Sequence, residues 1–136
     1  MEDAKGGVVL VRPPSEVMSR QGLPYFVGIS EATAGAHALS MNMIIIPPGG
    51  AARPHLHRGY ETAIYIVEGR VDTRYGAGLR ESLPCEAGDF LFIAADVPHQ
   101  PVNLSATERA VAIVARNDPN EQESVVPYDP ASDSAG

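Results

Sequence analysis

The sequence predicts an all-β sandwich or barrel, on three observations. Thirteen glycines and twelve prolines interrupt the chain at short intervals. The runs between them are short and rich in Val, Ile, Tyr and Phe, the residues that favour strands. The chain has 136 residues, 44% of them hydrophobic, enough for one domain with a core of its own. One domain is therefore expected over residues 1–136. It would have N-terminal strands within 7–30, a barrel core over about 37–116 and a partly flexible polar tail over 117–136.

The elements follow in order. "GGVVLV" is a strand candidate stopped by Pro13 and Pro14. "SEVMSR" (Ser15 to Arg20) has the pattern of one or two helical turns capped by Ser15. "YFVGI" reads as a strand, "EATAGA" as a loop, and "HALSMNMIII" as a strand ended by Pro47-Pro48-Gly49-Gly50. "ARPHLH" is a short strand followed by a turn at Arg58-Gly59. "YETAIYIVEG" and "RVDTRYG" read as a hairpin around Glu68-Gly69. "GAGL" is a turn, and Cys85 follows Pro84 in another. "GDFLFI", "HQPVNL" and "RAVAIVA" are the remaining strands. The tail "DPASDSAG" is expected to fray. Phe90 and Phe92 are assigned to the barrel core.

Charge and cysteine content exclude several functions. The net charge of -7 disfavours nucleic acid and anionic membrane as partners. A single cysteine allows neither an intrachain disulfide nor a thiolate metal cluster. The N-terminus lacks a secretory signal pattern, and no apolar run reaches membrane-spanning length, so the expected location is the cytoplasm. There is no Ser-His-Asp set, phosphate-binding glycine loop or nucleotide fingerprint. Three predicted strands, Met41 to Ile46, Ala63 to Val67 and Ala110 to Ala115, are apolar on both faces. A solvated antiparallel sheet alternates apolar and polar residues, so a homodimer covering the outer face is expected.

The chemistry centres on histidine. The chain has four: His37, His55, His57 and His99. His55 and His57 are two apart on one strand and face the same way, so they can offer a metal two imidazoles. Glu61 follows across a turn, and His99 lies some forty residues on. Imidazole and carboxylate donors suit one divalent ion of Fe, Mn, Zn, Co or Ni. His37 reads as a loop or strand-end residue. Arg53 shares the parity of His55 and His57. It either enters the barrel mouth, where it would bind a substrate carboxylate or phosphate, or stays at the surface. Tyr60, in step with Thr62, is a second candidate for the pocket lining.

Gly49, His55, His57, Glu61 and Gly69 resemble the first motif of the cupin superfamily, and Gly88, His99 and Asn103 resemble the second. The second motif departs in its middle, where Ala94 and Asp96 replace proline and glycine. A spacer of about 18 residues separates the motifs, as in small single-domain cupins, and the resemblance covers roughly Leu39 to Ala115. It implies a double-stranded β-helix, or jelly-roll barrel, with His55, His57, Glu61 and His99 holding a metal inside. The carboxylate position is ambiguous. Counted from His57, Glu61 fits; counted from Gly69, Thr62 falls on the ligand position. Alternating side chains cannot both point inward, so either a bulge brings Glu61 to the metal or Thr62 faces in and the site is all-histidine. Glu61 is favoured as the better donor. Cupins of this kind imply a metal-dependent enzyme acting on a small molecule, with dioxygenase chemistry ranked ahead of isomerase or lyase chemistry. The alternatives are a non-catalytic cupin that binds or senses a small molecule, and a metal-free barrel.

Overall fold

A computed structural model describes residues 7–12, 15–18, 22–120 and 124–133. Eleven strands among them form two antiparallel sheets that face each other. The strands are β1 (Ser15–Met18), β2 (Pro24–Ile29), β3 (Ser40–Ile46), β4 (His55–His57), β5 (Thr62–Glu68), β6 (Arg70–Tyr75), β7 (Glu81–Glu86), β8 (Phe90–Ile93), β9 (His99–Asn103), β10 (Ala110–Arg116) and β11 (Val125–Pro127). The six-stranded sheet runs β1-β2-β3-β10-β5-β8, and the five-stranded sheet β11-β4-β9-β6-β7. This is the all-β architecture that the strand pattern predicts, in the jelly-roll form that the cupin resemblance implies.

The core lies between the sheets. In β3 the inward positions Ser40, Asn42, Ile44 and Ile46 are buried, and Met41 points out. In β5, Thr62 and Ile66 are buried while Ala63, Tyr65 and Val67 are exposed. Tyr25, Val27, Ile44, Ile46, Ile66, Ala112 and Val114 pack into one cluster with Val71 and Cys85 from the opposite sheet. Among the described residues, no helix is long and apolar enough to cross a membrane.

The two strands expected to form a hairpin do not pair. β5 bonds to β10 and β8, whereas β6 bonds to β7 and β9. Gly69 is the corner at which the chain leaves one sheet for the other. Its φ is 86°, and a Cβ there would sit 2.8 Å from the Arg109 carbonyl oxygen, so only glycine fits.

Other expectations need correction. Residues 15–18 of the anticipated helix form β1, paired with β2 from Ser15↔Val27 to Met18↔Pro24; Ser19 and Arg20 lie outside the described residues. A few residues have too little helix propensity to resist an available sheet edge. "GGVVLV" forms no strand within its described residues, where Val8 is only an isolated bridge position, and Val8 and Leu10 are exposed. "EATAGA" contains the short helix α1 (Glu31–Ala34). Ser30 caps it, its Oγ accepting from the Thr33 amide at 3.2 Å while Thr33 Oγ1 accepts from the Ser30 amide at 2.9 Å. Cys85 lies in β7 rather than a turn, and burial raises its thiol pKa. Pro84 is tolerated because β7 is an edge strand. Beyond the barrel core, β11 adds to the edge of β4 and a 3-10 turn follows at Pro130–Asp133; the last three residues of "DPASDSAG" lie outside the described residues.

Phe90 and Phe92 are not core residues. They are 83% and 60% exposed on the outer face of the six-stranded sheet. Leu91 and Ile93 take the inward positions of β8. With Met41, Tyr65 and Ile113, the two phenylalanines line an apolar groove of about 350 Å³ on that face.

Candidate metal centre

The five-stranded sheet builds one wall of the site. His55 of β4 stands directly opposite His99 of β9, and His57 follows two residues along the same face. All three side chains are buried, and their donor atoms lie within 4.8 Å of one another. The ring centroids of His55 and His99 are 4.3 Å apart, and those of His55 and His57 5.0 Å apart.

Two of the rings are aimed by the backbone. His55 Nδ1 lies 2.7 Å from the Arg53 carbonyl oxygen, and His99 Nδ1 lies 2.9 Å from that of Val97. A carbonyl only accepts, so each Nδ1 carries the proton and each Nε2 keeps its lone pair for a metal. His57 Nε2 lies buried in the same cluster.

Burial is the largest cause that lowers the His55 pKa to about 3, with the neighbouring His99 adding to it and Arg116 contributing less. Burial likewise lowers His99 to about 4, and Arg116 pushes the same way. Both imidazoles are therefore neutral at pH 7, the form that binds metal. This donor set, three buried imidazoles in a compact cluster, fits a divalent transition ion: His55, His57 and His99 could hold one.

The facing wall comes from the six-stranded sheet and differs from expectation. Thr62, not Glu61, points inward. It is buried at the start of β5, paired with Ile93 on one side and Arg116 on the other. Arg116 Nε donates to Thr62 Oγ1 at 2.8 Å, and Arg116 itself is only 5% exposed. Glu61 is exposed, with its amide donating to Asn117 Oδ1 at 2.7 Å. The turn at Arg58-Gly59-Tyr60 is absorbed before the strand begins, so no bulge carries the carboxylate inward. Three histidines meet here without Glu61.

Arg53 is also outside. It is exposed and its side chain lies over Gly22; its contribution to the site is the carbonyl that orients His55. Parity fails because β4 begins only at His55, after Pro54, and Ala52 takes the buried position instead. Tyr60 sits half-buried in the turn, its amide bonded to the His57 carbonyl at 3.4 Å, and does not line the inner cavity. His37 is exposed in the bend before β3.

Between the walls is a cavity of about 30 Å³, bounded by His55, His99, Arg116, Thr73, Ile64, Ile93 and Val114 among others. It has room for about two water-sized groups. Arg116 was not anticipated as a site residue. Its signal was an arginine ending an otherwise apolar strand, on the parity of Ala112 and Val114.

The second motif proves structural beyond His99. Asn103 Nδ2 donates to the carbonyls of Glu108 at 2.8 Å, Ile46 at 3.0 Å and Pro47 at 3.1 Å. Its Oδ1 accepts from the Ser105 amide at 2.8 Å, tying the end of β3 to the turn before β10. Asp96 stands where the motif has glycine. It holds a φ of 67°, a conformation aspartate tolerates better than most residues. Its Oδ1 accepts from the Gly59 amide at 2.8 Å, which fastens the turn after His57.

The family profile described as Cupin domain matches residues 42–115, more than half of the chain. The chain belongs to the cupin family. No curated protein matches it. Among solved structures, this cupin is similar to an oxalate decarboxylase–formate complex from Lactobacillus farciminis. The identity is 20% and the TM-score 0.71, over 84% of this chain and 33% of that one. It is similar also to the Mn(II)-containing oxalate decarboxylase of Bacillus subtilis, at 16% identity and a TM-score of 0.69 over 83% of this chain and 30% of that one. An uncharacterized protein with a double-stranded β-helix domain from Klebsiella pneumoniae aligns at 15% identity and a TM-score of 0.67, over 88% and 90% of the two chains. The cupin spans about a third of the length of the two decarboxylases. At these identities the likeness speaks for the fold.

Proposed function

We propose that the protein is a metal-dependent cupin enzyme acting on a small molecule, with one divalent transition metal per chain held by His55, His57 and His99. One observation supports the reading above the rest: three buried imidazoles converge, two of them with Nδ1 tied to a carbonyl and Nε2 turned to the cluster. Three protein ligands leave coordination positions open, the arrangement of a catalytic rather than a structural site. A bound ion would supply Lewis acidity to a substrate oxygen and, if redox-active, electron transfer as well. The chain's own residues hold the ion, exclude bulk water and present Arg116 to whatever enters the cavity.

Iron with dioxygenase chemistry is the first reading. Manganese with lyase chemistry is the second, favoured by the Mn(II) decarboxylase among the structural neighbours. Metal identification followed by oxygen-consumption screening separates them. Turnover of a substrate with stoichiometric oxygen uptake supports the first, and oxygen-independent turnover supports the second. A loaded protein that turns over no candidate substrate overturns both in favour of a binding module.

A second copy of the chain is proposed to cover the outer face of the six-stranded sheet, where Phe90, Phe92, Met41 and Tyr65 stand exposed. Light scattering should return twice 14.4 kDa; a monomer mass contradicts the dimer.

A further inference from the structure

The strand that carries two of the histidines is short and thinly held on the side of the third. β4 meets β9 at one register position, His55↔His99, and the His57 carbonyl accepts from the Asp96 amide at 3.2 Å. Its other edge is paired along its whole length by β11, with Val125↔His57, Val126↔Leu56 and Pro127↔His55. The start of β11 is anchored in turn. Val125 is buried, and Ser124 Oγ donates to the buried carboxylate of Asp118.

Tyr128, the residue after β11, reaches toward both histidine strands. Its amide donates to the carbonyl of Pro54, the residue before His55, at 3.1 Å. Its hydroxyl accepts from the Gly78 amide at 2.8 Å, in the 3-10 turn Ala77–Leu79. The Leu79 amide closes that turn on the Gly76 carbonyl at 2.9 Å, and the Gly76 amide donates to the carbonyl of Pro98, the residue before His99, at 3.0 Å. The 3-10 turn at Pro130–Asp133 packs against Ala77–Leu79. One residue therefore joins the backbone entering His55 to the backbone entering His99. The same two entries hold the carbonyls of Arg53 and Val97 that aim the rings. A shift of either entry turns an imidazole away from the cluster, and a metal site loses affinity when its supporting shell is loose.

We propose that Tyr128 is a positioning residue of the metal site, clamping the segments that lead into His55 and His99 and so setting the spacing of their imidazoles. This rests on the metal reading above and adds a part of the chain, beyond the matched residues 42–115, that keeps the site in shape.

The test compares the natural chain with Tyr128→Phe, which keeps the ring and the backbone bond to Pro54 but removes the acceptor for Gly78. Thr33→Ala is the control. It uncaps α1, which packs against β2 in the other sheet, at a similar cost in stability. Each protein is titrated with Co(II), and the visible spectrum of the loaded form is recorded. Tyr128→Phe should bind Co(II) about threefold to tenfold more weakly, the worth of one hydrogen bond, and its spectrum should change with the ligand geometry. Thr33→Ala should match the natural chain in both. An unchanged affinity or an unchanged spectrum in Tyr128→Phe overturns the proposal. So does an equal loss in both variants, which would make the effect one of general stability. A natural chain that binds no Co(II) sinks the metal reading and this proposal together, whereas a natural chain that binds it and a Tyr128→Phe variant that matches it sink this proposal alone.

Discussion

The two walls of the cavity contrast in chemistry and in how they are built. The five-stranded sheet brings three buried imidazoles together, two of them aimed by carbonyls two residues earlier in the chain. The six-stranded sheet answers with Thr62 and Arg116, joined across a strand pair. The first wall is half local: His55 and His57 lie on one three-residue strand, and His99 joins them through the pairing of β4 with β9. The second wall exists only because β10 and β5 pair in one register, which places residues 54 positions apart side by side. One wall could hold a cation; the other carries a guanidinium hydrogen-bonded to a buried hydroxyl.

The contrast can be broken most forcefully on the histidine side. Replacing any one of His55, His57 or His99 by alanine should weaken metal binding by at least about a hundredfold, since loss of an outer-shell partner alone costs up to about that much. Titration with Zn, Mn or Fe(II) measures it, and retained affinity in all three variants would remove the site.

Acid should act on the same wall. The unfolded chain takes up protons on His55 and His99 below pH 6.5, but the folded chain does so only near pH 3 and pH 4. Unfolded chains therefore bind more protons in that window, and apoprotein stability should fall as pH drops from 6.5 toward 4. The slope should be up to about 1.4 kcal/mol per pH unit for each histidine. Chemical denaturation across that range checks it; an apoprotein equally stable at pH 6.5 and pH 4.5 contradicts the neutral, buried assignment.

The opposite wall should respond with the other sign. Arg116→Met should leave metal affinity unchanged or raised, because a neighbouring positive charge is gone. It should cost roughly 1–3 kcal/mol of stability by stranding Thr62 Oγ1. A large loss of metal in this variant would make Arg116 part of the cation site.

The smallest effect sharpens the register. Thr62→Val should cost about 1 kcal/mol, and Glu61→Gln should stay within about 0.5 kcal/mol with unchanged metal affinity. A large metal loss in Glu61→Gln would restore the His/carboxylate site.

The same contrast explains what could be read from the sequence. The histidine wall was legible because residues two apart on a strand share a face, and His99 completes a spaced pattern. The strands β3, β5, β8 and β10 were legible from apolar runs between glycines and prolines. The register of Thr62 was narrowed to one residue but not decided, because a turn can take up an extra residue without leaving a trace in the pattern. Arg116 and β11 depended on long-range pairing, which no local pattern encodes: β11 is three residues long and forms on the edge that β4 offers. Phe90 and Phe92 show the matching limit on the core. Period-2 alternation groups them together but does not say which face of the sheet is inside.

The central claim is that His55, His57 and His99 hold one divalent transition metal per chain. Elemental analysis of protein purified without chelator tests it most directly, beside a folded His55→Ala/His57→Ala variant prepared in the same way. About one equivalent of metal in the natural chain and none in the variant is the expected result. The same metal content in both would contradict the claim.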